Sequence, residues 1–130
     1  MTDVAAAGEL FARYAFTMDT KAIDDLASIL TDDAVFSLEI AGLEAPPAVE
    51  GAAAIVEFIR STAGSDPAQL RHVITNVRAD GDAIASYLTL FATVDGALET
   101  RTTALYTCEV AEVDGALRFR RIHVAFDRPF

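Results

Sequence analysis

Hydrophobic positions recur at two different periods along this chain, and the change of period divides it in two. In the first half, Phe11, Tyr14, Ala15 and Met18 recur at spacings of three and four, which places them on one face of a helix. Ile23, Leu26, Ala27 and Leu30 repeat the pattern and predict a second helix, with Asp24 and Asp25 pointing away. In TDDAVFSLEIAG, Phe36, Leu38 and Ile40 alternate with Ser37 and Glu39, which predicts a short strand. Pro46 and Pro47 break the chain next. A third helix follows, with Ile55, Phe58, Ile59 and Thr62 on one face and Gly64 placed to stop it.

From Leu70 onward the period is two. Three Asp-Gly pairs, Asp80-Gly81, Asp95-Gly96 and Asp114-Gly115, punctuate four β-rich runs. Asp-Gly suits two-residue hairpin loops because both central residues need positive φ, so the runs are expected to pair as an antiparallel meander. Strands this long twist and curl, and helices can cover the concave side. With no repeat, low-complexity tract or linker, residues 1–130 read as one α+β domain: three N-terminal helices packed on a strongly curved antiparallel sheet around one apolar pocket. Candidates for the outer sheet face are Val73, Val77, Ile122, Val124 and Phe126, depending on which face each strand turns inward, and that face is expected to join two copies as a homodimer.

Composition narrows the partners. Hydrophobic residues make up 52% of the 130 and charged residues 23%, so the chain should fold. The net charge is −10 and Lys and Arg form no cluster, which argues against nucleic acid and against an anionic membrane surface. The opening MTDVAAAGELFARYAF has no basic region, and Asp3 and Glu9 interrupt it, so it reads as a helix and not a signal peptide. No stretch approaches the roughly 18 apolar residues of a membrane span. Cys108 is the only cysteine, so no internal disulfide can form. A cytoplasmic protein is the simplest expectation.

Candidate chemistry centres on two residues. Asp19 ends the first helix at the border of its apolar stripe, where a carboxylate needs a partner. It either caps the helix beginning near Lys21, a task Thr20 could also perform, or faces the cavity. His72 in LRHVITNV shares a face with Ile74 and Asn76, opposite Val73, Thr75 and Val77. That face suits a cavity lining with polar groups to orient a ligand; the alternative is a core histidine satisfied by a backbone carbonyl. His123 is the weaker candidate, better read as a solvated or interface residue. Arg118, Arg120 and Arg121 are expected in ion pairs. Tyr87 and Tyr106 each sit mid-strand, where a hydroxyl can reach a cavity or its rim. No zinc spacing, nucleophile elbow, P-loop or dinucleotide fingerprint is present, and Cys108 within a strand reads as space-filling. A cofactor-free, metal-free general acid–base site is what these exclusions leave.

Three segments, YAFTMDTKAIDDLASILTDDAVF, GAAAIVEF and RHVITN with the meander after it, resemble the SnoaL-like branch of the ketosteroid isomerase and nuclear transport factor 2-like superfamily, which includes scytalone dehydratase. The resemblance spans nearly the whole chain. It implies a cone of three helices on a curved sheet, often dimeric through that sheet, and an acid–base pair formed by Asp19 and His72. It also implies a small apolar carbonyl or polycyclic substrate, walled here by Tyr14, Met18, Phe36, Phe58, Asn76 and Tyr106. Departures from the dehydratase pattern are Met18 where a tyrosine is expected, Ala104 and Tyr106 where serine and asparagine are expected, and no second pocket histidine. The implied activity is a lyase, isomerase or cyclase of secondary metabolism. RHVITN and RFRRIHVAFDRP also resemble the small subunit of ring-hydroxylating dioxygenases, which implies the alternative of a non-catalytic subunit or ligand-binding module.

Overall fold

The computed structural model describes residues 2–130. Helix α1 (Val4–Asp19) starts at Asp3, whose carboxylate accepts the Ala6 N–H at 2.7 Å, and it buries Ala7, Leu10, Phe11, Tyr14, Ala15 and Met18. The predicted second helix is a 3₁₀ segment, Ile23–Ile29. Its buried residues, Ile23, Leu26 and Ile29, are spaced by threes, the period of a 3₁₀ helix, while Ala27 is exposed and Leu30 already belongs to the next strand. Helix α2 (Ala52–Ser61) buries Ile55, Val56 and Ile59 and ends before Gly64, which lies in a further 3₁₀ turn.

Six strands form one sheet: β1 (Leu30–Ile40), β2 (Val49–Glu50), β3 (Gln69–Asp80), β4 (Ala83–Val94), β5 (Ala97–Val113) and β6 (Ala116–Phe126), in the order β2-β1-β6-β5-β4-β3. The meander from β3 to β6 is antiparallel as expected. Asp95-Gly96 and Asp114-Gly115 form its last two loops with both residues at positive φ. In the first loop the pair is displaced by one: Asp80 still belongs to β3, and Gly81 alone has positive φ, followed by Asp82, the pattern of a type II′ loop. One pairing departs from the expected all-antiparallel sheet, because β1 runs parallel to β6. Alternation in a sequence reports which face of a strand is buried, and says nothing of its neighbour or direction.

All helices lie on the concave face, and α1 makes its main contact with β3. Ile84, Leu88, Leu90, Ala104, Tyr106, Val110, Phe119, Ile122 and Val124 form the sheet's contribution to the core. Ile122 and Val124 therefore face inward, not outward as expected, and so does Phe126, which borders the cavity. Val73, Tyr87 and Leu105 are among the large apolar residues exposed on the convex face. A bulge explains the rest of that correction. The β3–β4 register shifts between Thr75 and Arg78, and Asn76 takes φ 56° there. Parity reverses across it, so Val77 packs against the core and Asn76 turns out to solvent.

Among the described residues no helix is long and apolar enough to cross a membrane. The left-handed bulge gives a direct test. Asn76→Val should lose about 1–2 kcal/mol in urea denaturation, because a β-branched residue resists positive φ, while Asn76→Gly should hold its midpoint.

Candidate functional site

Asp19 is the last residue of α1, and its carboxylate crosses to β3, where it meets one residue twice. One oxygen accepts the backbone N–H of His72 at 2.8 Å and the other accepts from its ring Nδ1 at 2.6 Å. Both side chains are buried, His72 6% and Asp19 10% exposed, so each depends on the other for its polar contact. Gln69 adds a second tie, donating to the Asp19 carbonyl at 3.0 Å. The capping alternative is thereby excluded: the 3₁₀ segment begins at Ile23 with Ala22 in the cap position and no side-chain cap, and Asp19 is committed to the sheet.

The pairing sets the imidazole's tautomer. A carboxylate only accepts, so Nδ1 carries the hydrogen and the neutral ring presents its lone pair at Nε2. That nitrogen makes no hydrogen bond to the described residues, and His72 lines a cavity of about 580 Å³. The volume falls within the roughly 300–1,000 Å³ of small-molecule sites.

Two phenols stand beside the histidine. Tyr14, on the buried face of α1, meets the His72 ring edge-on at 6.4 Å, and Tyr106 of β5 donates its hydroxyl to the Tyr14 oxygen at 3.2 Å. Burial pushes the Tyr14 hydroxyl well above its ordinary value against the opposing Tyr106 hydrogen bond, and burial raises Tyr106 as well. Both therefore stay protonated. Because Tyr106 spends its hydrogen on Tyr14, the Tyr14 hydrogen remains for a ligand oxygen.

Met18 and the Phe36–Phe58 pair, with ring centres 5.8 Å apart, supply apolar wall. Of the eight residues expected at the site, Tyr14, Met18, Phe36, Phe58, His72 and Tyr106 border this one cavity and Asp19 stands behind His72. Asn76 is the exception, taken out of the inward face by the bulge.

Other expectations resolve away from the cavity. His123 lies on the convex face, its Nδ1 2.7 Å from the Ser37 hydroxyl and its Nε2 3.3 Å from a Glu39 oxygen. Tyr87 is 56% exposed on the same face. Arg120 and Arg121 pair with Glu109, whereas Arg118 donates to the Leu30 carbonyl. Burial pushes the Cys108 thiol up to about 12, despite a backbone hydrogen bond from His123, so it fills space without nucleophilic character. Among the described residues no group of three or more His, Cys, Asp or Glu is arranged to hold a metal ion.

Sequence reasoning missed a polar pair on the cavity wall, Arg101 and Asp66. Alternation sends Thr102, Ala104 and Tyr106 inward and would send Arg101 out. A bulge intervenes: Leu90 pairs with Thr102 and Phe91 with Thr100, leaving Arg101 as the extra residue, turned inward. It donates to Asp66, whose other oxygen accepts the Ala68 N–H at 2.9 Å.

A model of the SnoaL-like domain matches residues 1–123. The chain belongs to the SnoaL-like family. No curated protein matches it. Among solved structures, one from Novosphingobium aromaticivorans with the provisional name of aromatic ring hydroxylase is 28% identical with a TM-score of 0.78, covering 98% of this chain and 90% of its own. Aln2 from a Streptomyces species is 25% identical with a TM-score of 0.78, covering 94% of this chain and 89% of its own. The provisionally named β subunit of an aromatic-ring-hydroxylating dioxygenase from Novosphingobium aromaticivorans, 15% identical with a TM-score of 0.77, covers 98% of this chain and 90% of its own and shares the fold.

For this SnoaL-like protein the tautomer is open to direct observation. Nitrogen-15 NMR of the histidine rings should find His72 protonated at Nδ1 with Nε2 bare. In Asp19→Ala the hydrogen should move to Nε2, the form that an imidazole without this acceptor is free to adopt.

Proposed function

We propose that the protein is a cofactor-independent acid–base enzyme, a lyase, isomerase or cyclase acting on a small, largely apolar carbonyl or polycyclic compound. The observation that carries this reading is the bare Nε2 of His72 at the cavity wall, held there by a buried carboxylate on its other nitrogen. In the proposed step Nε2 takes a proton from carbon next to a carbonyl. The C–H electron pair moves into the new C=C bond and the carbonyl oxygen becomes an enolate. Tyr14 donates its free hydrogen to that oxygen as charge develops, and Tyr106 supports Tyr14 from behind. Asp19 stabilises the imidazolium without taking its proton. Return of the proton to a different atom gives isomerisation; passing it to a β-hydroxyl, which leaves as water, gives dehydration; and attack of the enolate carbon on a second carbonyl, whose oxygen takes the proton, gives cyclisation.

A rival reading keeps the cavity but assigns it no chemistry, making the chain a small subunit or ligand-binding module. The likeness of RHVITN and RFRRIHVAFDRP to the small subunit of ring-hydroxylating dioxygenases favours it, and the 15%-identical Novosphingobium structure named as such a β subunit shares the fold. Assembly enters both readings. The convex face exposes Val73, Tyr87 and Leu105, with Tyr87 and Leu105 directly opposed on neighbouring strands, and this face is proposed to join two copies as a homodimer. Sedimentation at tens of micromolar, about the range where an interface of standard size persists, should find a dimer that Leu105→Lys converts to monomer.

Proton abstraction can be tested without the natural substrate. In D₂O the protein should accelerate hydrogen–deuterium exchange beside the carbonyl of 2-tetralone, followed by proton NMR. His72→Ala should lose about 10²–10⁴-fold of the catalysed rate. Asp19→Asn should lose a comparable factor, and the double variant should lose little more than either alone, since the two act as one unit. Equal exchange by wild type and all three folded variants would remove the catalytic reading and leave the binding module.

A further inference from the structure

The polar pair on the cavity wall lies apart from the proton-transferring group. His72 pairs with Leu90, and Leu90 with Thr102, so Arg101 stands two strands away from His72, about 10 Å at the usual strand spacing. The β5 bulge that turns Arg101 inward places a guanidinium, 19% exposed, in a wall otherwise rich in Phe, Leu and Ile. Its Nη1 donates to Asp66 and its Nε reaches Glu99 at 3.5 Å, but its Nη2 makes no hydrogen bond to the described residues. A guanidinium has only donors to offer, so what that nitrogen lacks is an acceptor.

The surrounding charges limit which acceptor fits. Asp66 and Glu44 border the cavity with Arg101, and Glu99 lies against the same guanidinium, while Lys21 is the further cation that acts on Asp66. Three carboxylates against two cations disfavour a full negative charge on the ligand. A neutral oxygen suits the place: a ketone or ether oxygen accepts from Arg101, and a phenol or alcohol can also donate to Asp66.

We infer that Arg101, oriented by Asp66, is a specificity residue that binds a second, neutral oxygen of the substrate, so that the substrate is an apolar ring system oxygenated at both ends. The inference rests on the catalytic reading for the first oxygen, which meets Tyr14 beside His72. The second contact sets which molecules are held and in which direction. It takes no part in proton transfer.

Calorimetric binding of three bicyclic probes tests this: 2-naphthol, 2,6-dihydroxynaphthalene and 6-hydroxy-2-naphthoate. The wild-type protein should bind the diol at least about 10-fold more tightly than 2-naphthol, the usual worth of a hydrogen bond to a charged group. It should bind the naphthoate no better than the diol. Arg101→Met should bring diol and 2-naphthol to within about two-fold of each other. Asp66→Asn, measured alongside in case Arg101→Met does not fold, should shrink the same preference. Equal wild-type affinities, a preference that survives in a folded Arg101→Met, no binding of any probe at millimolar concentration, or naphthoate as the tightest ligand would each overturn the inference. A purely structural clamp would lower the melting temperature in both variants and leave the preference unchanged, which also overturns it. His72→Ala separates the two readings, since it should abolish deuterium exchange and keep the diol preference.

Discussion

The grip of the Asp19 carboxylate on the backbone N–H and the ring Nδ1 of His72 is the constraint around which the rest of the molecule is arranged. An ionised group with so little solvent is costly unless its oxygens are occupied, and here one residue of β3 occupies both. The backbone contact fixes where α1 ends against the sheet, and the ring contact fixes how the imidazole is turned. Shape and chemistry therefore share one joint: a shift of the helix by a fraction of a turn would misplace the strand and the reactive nitrogen together. Tyr14, just over one turn earlier on the same helix, takes its position beside the ring from the same docking.

Bulges do the complementary work on the sheet. The bulge at Asn76 ends the run in which β3 points its even-numbered residues inward, so Val77 and Ala79 can continue the core where His72 and Ile74 left it. The bulge at Arg101 does the opposite, importing a charged side chain into an apolar wall. Both follow from one property of strands: a single inserted residue exchanges the two faces for everything beyond it.

That property also separates what the sequence made legible from what it did not. The apolar stripe of α1, the turns at Asp95-Gly96 and Asp114-Gly115 and the apolar faces that carry Phe36 and Phe58 follow from local periodicity, and the structure repeats them. Asp19 was legible because a carboxylate at the edge of an apolar face must have a partner. Its pairing with His72, 53 residues away, came only with the family resemblance. Asn76 was misassigned and Arg101 overlooked because a bulge leaves no compositional mark at either place. The parallel seam between β1 and β6 was hidden for a related reason, since pairing partners are chosen by the folded sheet and not by the alternation within either strand. The 3₁₀ segment was partly legible: spacing by threes was present at Ile23, Leu26 and Ile29, but an intervening Ala27 made the pattern pass for an α-helix.

The lone buried thiol has a use that its inertness creates. Cys108 sits on β5 two residues from Tyr106, 2% exposed and far from its thiolate form at neutral pH. No reagent can modify it while the helices cover the sheet. The rate at which an alkylating agent reaches it therefore counts how often the α1 lid lifts away from its strands, a built-in clock for motions that neither the cavity volume nor the hydrogen-bond geometry records.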